Sequence, residues 1–219
     1  MQVADAVQEA AALYEYCKED REKLTEAGLN WELAEDLPVR HEVLARLQSI
    51  WKSKHLNWEE CEKEWHNALP LARKPRSELK HDFKHAFHLD SNARASLKEI
   101  TKGRTNAALI LSLFSLSELG NNYKAELENI GMDINKLDKA KETCAILSKL
   151  QSMVKIAAFQ RSGEQELRNK AFYHLKEAVT EVRRVGKHVF FHDEQRYKGY
   201  LSEFIRKKKR KSKKKRDKQ

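Results

Sequence analysis

The chain has 219 residues, with 43 Lys and Arg against 33 Asp and Glu, but only seven Gly and three Pro. Glycine and proline punctuate turns and strand ends, so their scarcity predicts an all-α fold, and 40% hydrophobic residues suffice for a core. No run approaches the ~18 to 20 apolar residues that cross a bilayer. The first residues lack the basic-then-apolar order of a signal peptide, and Cys17, Cys61 and Cys144 are expected as reduced thiols in a cytoplasmic protein.

The first predicted helix covers residues 3 to 27, where Val3, Val7, Ala10, Tyr14, Cys17 and Leu24 fall on one face. Gly28 is placed to end it with a left-handed cap, and Asn30 to cap the next helix. That helix carries Leu37, Leu44, Leu47 and Trp51, and Pro38 kinks it or delays its start because proline has no amide donor. Asn57 with Glu60 reads as a capping box for a short helix bearing Cys61 and Trp65, which Pro70 and Pro75 end. Asp90 then caps a final helix. From 107 to 119 the chain is apolar nearly all round, which predicts a central helix buried on most sides. Gly131 and Asp133 repeat the cap pair, ahead of Leu137, Cys144, Leu147, Leu150 and Val154. A long uninterrupted helix is expected from about Glu164, and Asp193 caps the last one.

These signals recur at one offset. Residue n matches n+103 without a gap from residue 4 to residue 99. Leu24 meets Leu127, Gly28 meets Gly131, and Leu44, Leu47, Gln48, Ser49 and Lys52 meet Leu147, Leu150, Gln151, Ser152 and Lys155. Farther on, Glu78, Lys84, His85, Phe87 and Asp90 recur as Glu181, Lys187, His188, Phe190 and Asp193. Amphipathic helices resemble one another through their leucines, but matching Gly, Gln, His and Asp positions in one register point to a tandem duplication. The expected architecture is a pseudo-two-fold helical bundle: a first unit over 1–103, a second over 104–205 packed with it as one body, and a tail over 206–219.

The tail reads RKKKRKSKKKRDKQ and holds 11 basic residues and one acidic residue, a net of +10, so residues 1–205 sum to zero. Charges this dense repel, and nothing in the segment can be buried, so it is expected to be disordered when free. A polyanion would release counterions on binding it, which gives strong, salt-sensitive and sequence-independent association. Arg206, Lys207, Lys208, Lys209, Arg210, Lys211, Lys213, Lys214, Lys215 and Arg216 are therefore the candidate nucleic-acid contacts. The segment has no apolar residue to insert into a membrane, and the competing reading is a tail that serves solubility alone.

Phe172 to Phe204 interleaves aromatic and basic residues, a mixture that suits single-stranded nucleic acid. Phe172, Leu175, Val179, Val182 and Val189 nevertheless lie on one helical stripe and read as core, leaving Tyr197 and Tyr200 as the candidate stacking rings. His81, His85 and His88 share a helix face with Glu78, and Glu181 and His188 repeat Glu78 and His85. Imidazoles one turn apart with a Glu-x-x-His pair can hold a metal, although Arg184 replaces His81 in the second copy and a solvated polar face is the plainer reading. No phosphate-cradling glycine loop and no strand–turn–helix nucleophile context is present, so the chain reads as a non-enzymatic binding or scaffold protein that needs no cofactor, with a protein partner as a further option.

The segment KAFYHLKEAVTEVRRVGKHVFFHDEQRYKGYLSEFIRKK resembles the C-terminal part of a family of helical bacterial proteins with no assigned activity. The resemblance spans about residues 168–206. It implies a bacterial, cytoplasmic origin and assigns no functional residue.

Overall fold

A computed structural model describes residues 2 to 216, with side-chain surroundings given as far as Ser212. Every regular element among the described residues is helical. Four helices lead in: α1 (Val3–Glu19), α2 (Arg21–Glu26), α3 (Trp31–Glu35) and the 50-residue α4 (Leu37–Ala86). They are followed by α5 (Ser91–Ile100), α6 (Asn106–Asn122), α7 (Lys124–Asn129) and the 55-residue α8 (Asn135–Val189). The chain ends in α9 (Glu194–Gly199) and α10 (Glu203–Arg216).

The caps form where local chemistry places them. Gly28 and Gly131 have φ of 88° and 74°. In each case the glycine amide and the next amide reach back to close the preceding helix: Gly28 to Thr25 and Leu29 to Leu24, Gly131 to Glu128 and Met132 to Leu127. The leucines and the methionine joined by these bonds are all buried, so each turn is also a hydrophobic clasp. Asn30 accepts the amide of Glu32, Asp133 that of Asn135, Asp90 those of Asn92 and Ala93, and Asp193 those of Gln195 and Arg196.

Two expectations about the helices are corrected. Pro70 and Pro75 do not end a helix: α4 runs straight through both. Each proline forfeits one backbone bond, a loss of about 3 kcal/mol or more. Against this, Cys61, Trp65, Leu69, Ala72, Leu79 and Phe83 keep one continuous buried face across the prolines, and that burial holds the helix. Likewise α6 is not buried all round. It buries Leu109, Ile110, Leu113 and Leu116, but Leu111 is 65% and Phe114 42% exposed, because its packing neighbours cover only one side.

The chain divides into two compact units, Met1–Lys54 with Gln160–Gln219, and His55–Phe159. They do not coincide with the expected units 1–103 and 104–205, because α4 and α8 each contribute one end to either unit. The first unit is built on Leu13, Cys17, Leu24, Leu44, Val182 and Tyr200, among others; the second on Leu79, Phe83, Phe87, Leu113, Leu127 and Leu147.

Candidate nucleic-acid interface

Helix α10 carries the polycation, and its start is fixed to the first unit by a single carboxylate. Glu9, on the inner side of α1, is 11% exposed and has three partners. Its Oε1 accepts the Phe204 amide at 2.6 Å, its Oε2 accepts Arg183 Nη2 at 2.7 Å, and the Ser202 hydroxyl donates to both oxygens. Ser202 Oγ in turn accepts the Ile205 amide at 3.2 Å, so a buried serine caps α10 while Glu9 holds the serine. Burial pushes the Glu9 carboxyl up, but the Phe204 amide, Arg183 and Ser202 outweigh it and hold it below the ordinary value.

A second network closes the turn before α10. Tyr200 is fully buried, its ring stacks on Phe190 at 5.5 Å, and its hydroxyl donates to Asp20 Oδ2 at 2.7 Å. Arg196 reaches Asp20 at 2.6 Å and Glu19 at 2.8 Å. Burial and the bond to Asp20 push the Tyr200 phenol well above its ordinary value, and burial pushes the Cys17 thiol up to about 12. Cys17 is thus a neutral core residue with no reactive thiolate at physiological pH.

Tyr200 is therefore not a stacking surface for a base, which corrects the expectation for it. Its ring is a core wedge because Gly186 of α8 leaves room for it alone: a Cβ added at 186 would run into the ring carbons. Tyr197 is half-buried and packs against the same core. Residues 206–216 form helix, where disorder was expected, and Arg206 to Ser212 are all exposed. Lysine and arginine are good helix formers, no glycine or proline interrupts them, and Glu203 pairs with Lys207 at 3.1 Å in the first turn. The candidate side chains Lys213, Lys214, Lys215 and Arg216 lie beyond the described side chains, and residues 217–219 outside the described residues.

The histidine face has other engagements. Among the described residues no three His, Cys, Asp or Glu side chains come together to hold a metal. Glu78 pairs loosely with Lys74 at 3.9 Å, Glu181 accepts two bonds from Arg184, His88 Nδ1 meets the His85 carbonyl at 2.9 Å, and their rings stack at 6.2 Å. Glu78, His81, His85 and His88 belong to one compact unit, Glu181 and His188 to the other. Glu9 and Asp20, which fix the C-terminal segment, escaped sequence reasoning because each is one acid among 33 with no local motif.

Compared with family models, curated proteins and solved structures, the chain matches none. Among the described residues no helix is long and apolar enough to cross a membrane.

Proposed function

We propose that this is a non-enzymatic helical scaffold that presents α10 as a polycation to the phosphate backbone of nucleic acid, without sequence preference. The observation that carries the reading is the exposure of every residue from Arg206 to Ser212 on a helix whose first turn is clamped by Glu9. A clamped start keeps the charge at one place on the first unit. The same reading takes the chain as a tandem duplicate of bacterial, cytoplasmic origin. In support, each compact unit holds one glycine-closed turn, Gly28 or Gly131, and one of the two aspartate caps related by the 103-residue offset, Asp193 or Asp90.

The test is duplex binding by fluorescence anisotropy between 50 and 200 mM salt. If ~6 to 10 phosphates are neutralised, affinity falls by about 10³ to 10⁵ across that range. A chain lacking 206–219 is expected to lose most of that slope. Unchanged affinity and slope after the deletion would refute the tail as the contact and leave it a solubilising end.

A further inference from the structure

The second unit carries another concentration of positive charge, which the zero sum of residues 1–205 conceals. Arg73, Arg76, Lys80 and Lys84 follow at intervals of three, four and four on α4, and Arg94 and Lys98 at four on α5, with Lys102 four residues on, just past the end of α5. Each set is one stripe along a helix. The fold brings the two stripes together. A cavity of about 640 Å³ is lined by Arg73, Arg76, Lys80, Lys102 and Arg104, and a second of about 670 Å³ by Lys80, Lys84, Arg94, Lys98 and Lys102. Lys80, Thr101 and Lys102 border both, so the two form one groove.

No Asp or Glu lines either cavity. The acids of the same stretch are engaged elsewhere: Asp82 with Lys136 at 2.9 Å, Glu78 with Lys74, and Asp90 in its cap. Of the groove cations, Lys102 alone among the described residues has a carboxylate within 4 Å, the exposed Glu99 at 3.7 Å. Arg76 builds the floor. Its Nη2 donates to the Thr101 and Gly103 carbonyls at 2.9 and 3.1 Å, while its buried Nε has no partner. Thr105, the cap of α6, and Asn106 complete the wall, so the positive end of a 17-residue helix adds to the field.

Eight like charges gathered with only the exposed Glu99 beside one of them destabilise the fold unless an anion joins them. The α4 stripe extends about 16 Å at 1.5 Å per residue, which is too long for one phosphate. No aromatic ring lines either cavity, so bases have nothing to stack on. We propose that this groove binds the phosphate backbone of double-stranded nucleic acid. The proposal rests on the reading above for the identity of the polyanion, but not on α10 for its charge.

The test uses the full chain with three groove cations neutralised, R73Q/K80Q/K98Q, and leaves Arg76 in place. A control, K63Q/K149Q/K155Q, removes the same charge from exposed positions of the same unit that line neither cavity. Binding to a 30-base-pair DNA duplex is followed against salt. Loss of three phosphate contacts lowers the salt slope by about 2.7 and the affinity at 100 mM by about 10² to 10³, while the control loses less than about tenfold. A groove variant that binds like the control overturns the proposal, as does a groove that takes inorganic polyphosphate while duplex affinity is unmoved by R73Q/K80Q/K98Q. A third chain, K207Q/K208Q/K209Q/K211Q, separates the two readings. If it keeps full affinity while the groove variant does not, α10 fails and the groove stands; the reverse pattern removes the groove and keeps α10.

Discussion

Replacing Gly186 by alanine puts the packing of the first unit to a direct test. In an open helical position the change is favourable, because alanine loses less backbone freedom than glycine by up to about 1 kcal/mol. At 186 the new Cβ meets the ring carbons of Tyr200. That ring cannot retreat: it is fully buried, it stacks on Phe190 with planes 9° apart, and its hydroxyl is tied to Asp20. Overpacking costs about 1 to 3 kcal/mol, and breaking a bond to a buried charged acceptor about 1.5 to 3 more. After the helix gain is subtracted, Gly186→Ala is expected to destabilise by about 1.5 to 5 kcal/mol. For a chain of this length that is a fall of about 3 to 20 °C in melting temperature.

The assay is thermal and guanidinium unfolding followed by far-ultraviolet circular dichroism. Gly163→Ala serves as the internal control. It lies on the same helix, exposed, with nothing within 4 Å of an added Cβ, so it is expected to stabilise by about 0.5 to 1 kcal/mol. Equal stability of the two variants would refute the wedge and, with it, the reason Tyr200 is unavailable to a ligand.

The other predictions concern the two polar networks. Glu9→Ala leaves Arg183 without its carboxylate and frees the Phe204 amide, a loss of about 2 to 4 kcal/mol from a nearly buried pair, and hydrogen exchange should rise first in α10. The Glu9 carboxyl sits below its ordinary value of 4.5 in the folded state, so its contribution is complete above that pH and is lost as pH falls through the lower folded value. The acid limb of the stability profile should flatten in Glu9→Gln; an unchanged limb would place the acid sensitivity elsewhere. Tyr200→Phe keeps the ring and removes the donor, so it should cost about 1.5 to 3 kcal/mol, at the low end because Arg196 still holds Asp20, and less than Gly186→Ala because nothing is overpacked.

What was legible in the sequence is what depends on neighbouring residues. The Gly28 and Gly131 turns and the Asn30, Asp90, Asp133 and Asp193 caps are closed by atoms within a few residues of the signal. The helical class follows from composition for the same reason. Pro70 and Pro75 misled because their local penalty is opposed by burial of Trp65, Leu69, Leu79 and Phe83 against distant elements. Tyr200 misled because its position beside the basic tail suggested a contact, whereas Gly186 and Asp20, which fix it, lie 14 and 180 residues away.

Charge shows the same division between sums and positions. A net charge is a total without coordinates, and a total of zero over residues 1–205 says nothing of where the charges lie. Residues 73–104 nevertheless hold nine basic residues against four acidic ones, spaced so that two helical stripes face one groove. The compensating acids are not missing; Glu9, Glu19 and Asp20 are spent on Arg183 and Arg196 in the other compact unit. Screening confines a charge to roughly 8 Å at physiological salt, and these acids are already paired with arginines of their own unit. The field that a phosphate meets is set by the local arrangement. A neutral total is therefore compatible with a strongly basic face, and the salt slopes of the groove variant and its equally charged control measure that difference directly.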